Sequence, residues 1–485
     1  MAQDAGQQGV VDKVLTGGTV VTEHGTFPAD VAIKGETIAA ITAPGCAPAA
    51  AETIDITGKV VLPGVIDVHV HFREPGMDHK EDWATGSRSA AVGGVTCVFE
   101  MPNTSPPVDT IEHFELKRAS ASAKSIVDFG IYGLLGEHNL DQLEPLAAAG
   151  VVGFKLFLGN TTGNLPCPND GAVLEAFEIF ARLGVRCSIH AENSPILFWR
   201  ENKLKAAGRN DPLAHLAART DVVAVEALNR SALFAEWTGA RIHIVHESCA
   251  RSIPFIRFWK DRGVDMTVET LPQYLYLDAE MMLEPGGEVI RMNPPIRERA
   301  HQEPLWQALK DGTIDMLSTD HAPHLPAEKR AGDIWGVACG FPGVQVSLPL
   351  MLTAVHEGRL QLEDIARTMA AAPARAFGLY GKKGVLQAGA DADIAVVDLS
   401  ATQTLSAEAL YSKGQVNAFG PRTATGLPVM TFVRGALVAK DGAPVAAEGH
   451  GQMVTPAMAP PAPRNVNTTM QAVLTPDQKP YGDVF

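Results

Sequence analysis

Eight short apolar runs recur along residues 61–319, and longer segments with helical periodicity follow most of them. This alternation is typical of βα units, in which each helix carries the chain back to the start of the next parallel strand. Eight such units in one series predict an α/β fold with a (β/α)8 TIM-type barrel. The predicted strands are residues 61–68, 95–101, 125–135, 151–158, 185–191, 240–247, 264–271 and 313–319.

The two ends of the chain differ from this central series. Residues 14–41 contain short β-type runs broken by glycines, and residues 384–440 show a similar pattern. Two such flanks can close into one small β-sandwich beside the barrel, whereas the last residues are rich in proline and have no periodicity. The predicted parts are a small composite β domain (1–60 and 384–453), the barrel domain (61–383) and a proline-rich C-terminal tail (454–485).

The chain is acidic, with 40 basic and 55 acidic residues and a formal net charge of −15. A surface of this sign repels phosphate backbones, which argues against nucleic-acid binding, and an anionic substrate would need local cations. The six cysteines form no C-x-x-C pair, and no apolar run approaches the roughly 18 residues of a membrane span. We therefore expect a cytoplasmic protein with no nucleic-acid or membrane partner.

Residues that can bind metal ions stand at the ends of five predicted strands. The first strand ends with His69 and His71, whose spacing places both imidazoles on one face. In this barrel architecture catalytic groups gather at the carboxyl ends of the strands, so the five sets are expected to meet. The other candidates are Lys155 in the fourth strand, His190 at the end of the fifth, His246 at the end of the sixth and Asp320 after the eighth.

These side chains suit a pair of divalent metal ions. Imidazole and carboxylate are the usual non-sulfur ligands of zinc, and six groups are too many for one open catalytic ion. Lys155 fits only without its charge, because an ammonium group between two cations is repelled. Beside Phe154 and Phe157 its amine should lose its proton easily and can react with carbon dioxide to give an anionic bridging carbamate. A lysine held by a salt bridge inside the barrel is the alternative.

Asp320 has two possible roles at the last strand end. It can serve as a metal ligand alone, or it can also take a proton from a water molecule and pass it to a leaving nitrogen. By strand alternation, His243 is expected to face away from His246 and to have a core role or to support the metal ligands without binding metal itself. By the same argument, His321 is expected to face away from Asp320.

Four segments together resemble the signature segments of the cyclic amidohydrolases of the amidohydrolase superfamily, and most closely those of the dihydroorotases. They are residues 69–76 (HVHFREPG), 101–104 (MPNT), 292–297 (MNPPIR) and 319–324 (TDHAPH). The resemblance extends over residues 14–455 and implies a (β/α)8 barrel with a small β domain made from both chain ends. Residues 159–164 also resemble a glycine-bearing active-site loop of some members, although a surface turn is nearly as good an interpretation.

The resemblance also implies roles for particular residues. His69, His71 and Asp320 would hold one zinc ion, His190 and His246 would hold the second, and carboxylated Lys155 would bridge both. The substrate carboxylate and ring would be bound by Arg73, Asn103, His324 and Asn293. Arginine suits a carboxylate because its guanidinium group can donate two parallel hydrogen bonds.

The implied activity is that of a dihydroorotase, the reversible zinc-dependent hydrolysis of L-dihydroorotate to N-carbamoyl-L-aspartate in pyrimidine biosynthesis. Allantoinases and hydantoinases or dihydropyrimidinases share the same metal ligands, so these activities are the alternative. Gln273 stands where many dihydroorotases have histidine, which weakens the substrate assignment. A catalytically silent assembly partner of aspartate transcarbamoylase is a further alternative, and a homo-oligomer is expected.

Overall fold

The computed structural model describes residues 10–159, 165, 167–330 and 332–457. Within these ranges the backbone forms seventeen β-strands in two sheets. In chain order the strands are β1 (Val11–Thr22), β2 (Gly25–Lys34), β3 (Thr37–Thr42), β4 (Ala50–Asp55), β5 (Val60–Pro63), β6 (Val65–Val70), β7 (Val95–Glu100), β8 (Asp128–Leu134), β9 (Gly153–Phe157), β10 (Arg186–His190), β11 (Arg241–Ile244), β12 (Met266–Thr270), β13 (Met316–Leu317), β14 (Ile394–Thr404), β15 (Thr423–Val433), β16 (Ala436–Lys440) and β17 (Ala443–Pro444).

Helices follow most strands of the central series. A π-helical turn, Arg367–Ala371, joins the last two α-helices of the described ranges. None of the helices in the described ranges is long and apolar enough to cross a membrane. The α-helices are α1 (Trp83–Val92), α2 (Ile111–Lys124), α3 (Leu143–Ala149), α4 (Asp170–Leu183), α5 (Ser194–Ala206), α6 (Ala214–Ala218), α7 (Asp221–Thr238), α8 (Ile253–Asp261), α9 (Pro272–Tyr276), α10 (Gln302–Lys310), α11 (Ser347–His356), α12 (Leu362–Ala366) and α13 (Ala372–Ala376).

Capping residues explain where several of these helices begin and end. The side chains of Asp82, Thr110 and Asn193 accept hydrogen bonds from backbone amides in the first turns of α1, α2 and α5. Gly184 and Gly239 end α4 and α7 in the left-handed conformation, which glycine adopts without steric cost. Because Asn193 follows β10 after only two residues, α5 starts close to the strand end that carries His190.

Strands β6 to β13 pair in sequence order, and every pair is parallel. A parallel bridge between Val70 and His321 brings the end of the series back beside β6, so the barrel is nearly closed. The predicted fold class is confirmed, and each predicted strand corresponds to an observed one. The first predicted run is divided, because Gly64 separates β6 from β5 of the other sheet. The last barrel strand, β13, has only two residues.

The other nine strands form a second sheet that has both parallel and antiparallel pairs, and we call it the mixed sheet. Its strand order is β17-β16-β15-β14-β5-β1-β2-β3, and β4 pairs with β1. Its centre joins the two ends of the chain, because β5 pairs antiparallel with β14 and parallel with β1. One face is apolar and fully buried, and includes Val20, Val31, Ile394 and Phe432. Both flanks thus contribute to one hydrogen-bonded sheet, while the domain boundaries at residues 60, 384 and 453 stay predictions.

A buried group of charges links the barrel to the mixed sheet, and we call it the ion cluster. The Lys383 amine donates to Asp128 at 2.6 Å, to Asp393 at 2.7 Å and lies 2.9 Å from Asp391. Arg434 forms an ion pair with Asp128 from the turn between β15 and β16. Because Asp128 is the first residue of β8, the ion cluster lies at the amino-terminal end of the barrel, away from the predicted metal ligands.

Candidate metal centre and active site

The six predicted metal ligands, called here the donor set, come together at the carboxyl ends of the barrel strands. The imidazole centroids lie 5.4 Å apart for His69 and His71, 5.2 Å for His69 and His246, and 4.6 Å for His190 and His246. The Asp320 Oδ1 atom is 3.0 Å from Nε2 of His71 and 3.3 Å from Nε2 of His69. Ligand atoms of His69, His246 and Asp320 all lie within 4.8 Å of one another.

Lys155 lies inside this group on β9 and is fully buried. Among the described residues its Nζ atom has no hydrogen-bond partner, and neither has Nδ1 of His246. Burial lowers the pKa of the Lys155 amine to about 8, although the Glu269 and Asp320 carboxylates oppose this shift. A buried amine without a partner costs free energy, and conversion to a metal-binding carbamate would remove that cost. The donor set therefore fits two bridged metal ions, and a structural salt bridge does not explain Lys155.

The histidines are prepared for ligation by their burial. Burial lowers the pKa of His69 to about 4, with a further contribution from the Lys155 charge. Burial also lowers the pKa of His71, His190 and His246 below its usual range. All four imidazoles are thus neutral near pH 7, which is the form that binds metal ions.

Three residues of the site have left-handed backbone conformations that are uncommon outside glycine. They are Arg73 at φ 64°, His246 at φ 43° and Asp320 at φ 45°. Such conformations cost free energy and persist where the surrounding structure enforces them, often at functional sites. Each of the three follows the carboxyl end of a barrel strand by two or three residues, at the end of the barrel where the donor set lies.

A small cavity lies beside the donor set and contains most of the predicted substrate-binding residues. His324, which was also predicted to bind substrate, lies next to the cavity but is not one of its lining residues. Its Nε2 atom donates to the Cys339 carbonyl at 3.0 Å and lies 3.4 Å from Nη2 of Arg73. Nε of Arg73 has no hydrogen-bond partner within the described part of the chain. The cavity is lined by His71, Arg73, Asn103, Asn293, Asp320, Ala322 and Cys339.

Two buried glutamates contact the histidines and were missed by the sequence reasoning. Glu269 on β12 accepts from Nδ1 of His69 at 2.6 Å, and Glu192 accepts from Nε2 of His190 at 2.8 Å. Glu192 also forms an ion pair with Arg219. The available signal was a carboxylate at the end of a predicted strand. Glu269 was missed because its strand, β12, contains no histidine and so gave no sign of a metal site. Cys339 was missed because it reaches the cavity from a loop after the last barrel strand.

Other sequence predictions have mixed outcomes. His321 points away from the donor set, toward Glu81. His243 contacts Thr267 and also Glu269, the glutamate that accepts from His69, so it lies next to the donor set rather than facing away from it. Residues 160–164 of the predicted glycine-bearing loop and residues 458–485 of the predicted tail lie outside the described residues.

A nearly closed parallel barrel with such a donor set at its carboxyl end defines a candidate metal centre at the usual position of a barrel active site. The model of the amidohydrolase family matches residues 60–438 of the chain. An allantoinase from Deinococcus radiodurans is 38% identical over 435 residues, covering 89% of this chain and 96% of that protein. An L-hydantoinase from Paenarthrobacter aurescens is 36% identical over 454 residues, covering 92% and 98%. A dihydroorotase from Halobacterium salinarum is 40% identical over 382 residues, covering 78% and 86%.

Solved structures agree with these relatives. The structure of an L-hydantoinase (dihydropyrimidinase) from Arthrobacter aurescens superimposes with a TM-score of 0.89 at 35% identity, covering 92% of this chain and all of that one. The chain belongs to the amidohydrolase family. It is a cyclic amidohydrolase, a hydrolase acting on the C–N bonds of small cyclic amides, and its family generally uses a binuclear metal centre.

Proposed function

We propose that this protein hydrolyses the ring of a cyclic ureide of the allantoin and hydantoin type. The observation that carries the proposal is the donor set converging beside a cavity lined by Arg73, Asn103 and Asn293. The relatives support this substrate class over dihydroorotate, because allantoinases and an L-hydantoinase align over more of the chain than the dihydroorotases do. The alternative raised from the sequence thus becomes the main hypothesis.

The donor set would hold two zinc ions. In this proposal His69, His71 and Asp320 bind one ion, His190 and His246 bind the other, and carboxylated Lys155 bridges them. When bound, the ions would supply a Lewis acid for the ring carbonyl and lower the pKa of the attacking water.

Asp320 would move the proton during ring opening. Its carboxylate lines the cavity and lies 3.0 Å from His71, so a water molecule and a ring nitrogen can both come within its reach. Burial raises the pKa of Asp320, which makes the carboxylate a better base than an exposed aspartate. It would accept the proton of the attacking water and deliver it to the leaving ring nitrogen as the C–N bond breaks.

Arg73, Asn103 and Asn293 would orient the ring against the donor set. Arginine and asparagine donors pair with ureide carbonyls, and Arg73 retains an Nε–H without a partner among the described residues. Holding the scissile carbonyl in one orientation is itself a substantial part of catalysis.

L-Dihydroorotate is the second candidate substrate, and one observation favours it. The buried Arg73 guanidinium lines the cavity, where it suits a carboxylate that dihydroorotate carries and allantoin lacks. Pyrimidine biosynthesis and association with aspartate transcarbamoylase belong to this second candidate, and both stay predictions, as does a homo-oligomer.

The test compares ring opening of allantoin, hydantoin, dihydrouracil and L-dihydroorotate on one preparation whose zinc content is measured. The proposal expects about two zinc ions per chain and the highest kcat/KM for allantoin or hydantoin. A preference for dihydroorotate would replace the first candidate with the second. A protein with neither bound zinc nor activity on any of the four would contradict both and favour the silent assembly partner.

Two variants sharpen the result. Asp320→Asn should reduce kcat by at least about 100-fold on the true substrate while the fold is kept. Arg73→Met should raise KM for dihydroorotate by about 30-fold or more, since truncating one side of a buried charge pair costs about 2–5 kcal/mol. The matched control is Arg118→Met, because Arg118 is exposed and forms an ion pair with Glu115, away from the cavity.

A further inference from the structure

Glu269 is a buried carboxylate beside the donor set for which the sequence predicted no role. It lies on β12 and has no exposed surface. Its Oε1 atom accepts from Nδ1 of His69 at 2.6 Å and from the backbone amide of His246 at 3.0 Å. Its Oε2 atom accepts from Nε2 of His243 at 3.0 Å. One carboxylate thus contacts three histidines from two other strands.

The contact with His69 determines which nitrogen of that imidazole is free. A neutral imidazole carries one proton, and a carboxylate at Nδ1 keeps the proton there. The Nε2 lone pair of His69 is therefore directed toward Asp320, whose Oδ1 atom is 3.3 Å away. Carboxylates that hold a ligand histidine in this way orient the ring and increase its basicity.

The contact with His246 acts on the backbone instead. His246 has a left-handed conformation at φ 43°, which the chain adopts only when neighbouring groups enforce it. The hydrogen bond from its amide to Glu269 is one such constraint, and the Glu247 amide donates to the Glu269 carbonyl at 2.8 Å. Glu269 therefore secures the turn that aims His246 at the donor set.

Glu269 is itself held by a second layer of groups. His243 bonds to Glu269 through Nε2, and its Nδ1 atom lies 2.9 Å from the Thr267 hydroxyl. The ring of His243 packs edge-on against Phe377 at 5.6 Å. The chain of contacts from Thr267 through His243 to Glu269 explains why a histidine that is not itself a member of the donor set is buried there.

We propose that Glu269 is a positioning residue that couples the two halves of the metal centre, by fixing the tautomer of His69 and the backbone of His246. This inference rests on the metal-dependent function proposed above, because His69 and His246 are assigned there to different ions. It predicts that loss of the Glu269 charge weakens metal binding before it affects the fold.

The test is cobalt binding by the metal-free protein, followed by visible absorption and by competition with a chelator. Glu269→Gln should bind cobalt about 10- to 100-fold more weakly than the unmodified protein and show an altered spectrum. Glu247→Gln is the matched control, because Glu247 is a buried glutamate on the neighbouring strand end that accepts from the Cys249 amide and, within the described part of the chain, from no histidine ring. The control should keep the cobalt affinity and spectrum.

A second variant covers the case in which Glu269→Gln does not fold. His243→Asn leaves Glu269 in place but removes one of its donors, so it should weaken cobalt binding by a smaller factor. Unchanged cobalt affinity and spectrum in a folded Glu269→Gln or His243→Asn protein would refute the positioning role.

The outcomes separate this inference from the proposed function. Weaker cobalt binding in the variants, together with no activity on any ureide, would support the role of Glu269 and contradict the proposed reaction. If the unmodified protein is active on a ureide and all variants bind cobalt equally well, the proposed reaction would be supported and the role of Glu269 contradicted. An unmodified protein that binds no cobalt would overturn both.

Discussion

Replacing Lys383 with methionine tests the ion cluster that joins the barrel to the mixed sheet. The substitution keeps a long unbranched side chain but removes a positive charge that contacts all three aspartates. Burial alone would lower the pKa of Lys383, but the carboxylates of Asp393 and Asp391 reverse this and raise it above its usual value. The amine is therefore charged in the folded protein, and its partners depend on that charge.

The magnitude follows from what remains after the substitution. Asp128 keeps its ion pair with Arg434, whereas the Asp391 and Asp393 carboxylates lose the Lys383 cation while staying buried. Removing one partner of a buried ion pair costs about 3–5 kcal/mol, which is a large part of the roughly 5–15 kcal/mol that stabilises a typical protein. We expect a large fall in the urea midpoint and in Tm, with kcat/KM unchanged because the ion cluster is at the other end of the barrel.

The assay is urea and thermal unfolding of Lys383→Met beside the control Lys382→Met. Lys382 is the exposed neighbour, and its replacement should change stability by no more than about 0.5 kcal/mol. Adding Asp393→Asn to Lys383→Met should recover part of the loss, since it removes one uncompensated charge. If Lys383→Met unfolds at the same midpoint as Lys382→Met, the ion cluster does not stabilise the junction and the reasoning is wrong.

Three further predictions concern pH, backbone geometry and the carbamate. Burial lowers the pKa of Lys329 to about 7, so between pH 7 and 9 the unfolded chain binds more protons than the folded chain and stability should rise with pH. Lys329→Met should flatten this rise by up to about 1.4 kcal/mol per pH unit. An equal slope of stability against pH in both proteins would contradict the prediction. Gly76 has φ +89°, and a Cβ there would lie 2.1 Å from the Ser105 carbonyl oxygen. Gly76→Ala should therefore destabilise the loop after Arg73 and raise KM. The control is Gly58→Ala, where a Cβ would meet nothing within 4 Å, and it should leave KM unchanged. Metal-free protein given zinc should regain activity with bicarbonate but not in carbon-dioxide-free buffer, and equal recovery in both would exclude a carbamate on Lys155.

The barrel could be predicted from the sequence because its signal is local. Each βα unit carries its own apolar run and helical segment, so the series can be counted without knowledge of distant contacts. The break at Gly64 could not be predicted, because Val60–Pro63 and Val65–Val70 form one apolar run whose halves pair with different sheets. The length of β13 was also predicted wrongly, as residues 313–319 instead of Met316–Leu317, because its buried neighbours are apolar without being paired in the sheet.

The candidate site shows the same limit. Histidines at strand ends signal themselves by residue type, and the structure brings all four of them together. The Glu269–His69 hydrogen bond joins residues 200 positions apart, and no local pattern marks that pair. Substrate preference is harder still to predict from the sequence. The segments that resemble those of dihydroorotases contribute residues to the cavity wall, whereas an allantoinase and an L-hydantoinase align over more of the chain than a dihydroorotase does.

The pairing of β5 with β14 has a consequence for how the protein is made. About 330 residues separate Pro63 from its partner Ile394, and a ribosome adding roughly 5–20 residues per second needs about 15–70 seconds to produce them. During that time the early strands present an unpaired edge to other nascent chains, which is a template for aggregation. A chain stopped at residue 383 would contain every barrel strand and still keep that edge open. A chaperone that shields strand edges during this interval should therefore improve the yield of folded protein.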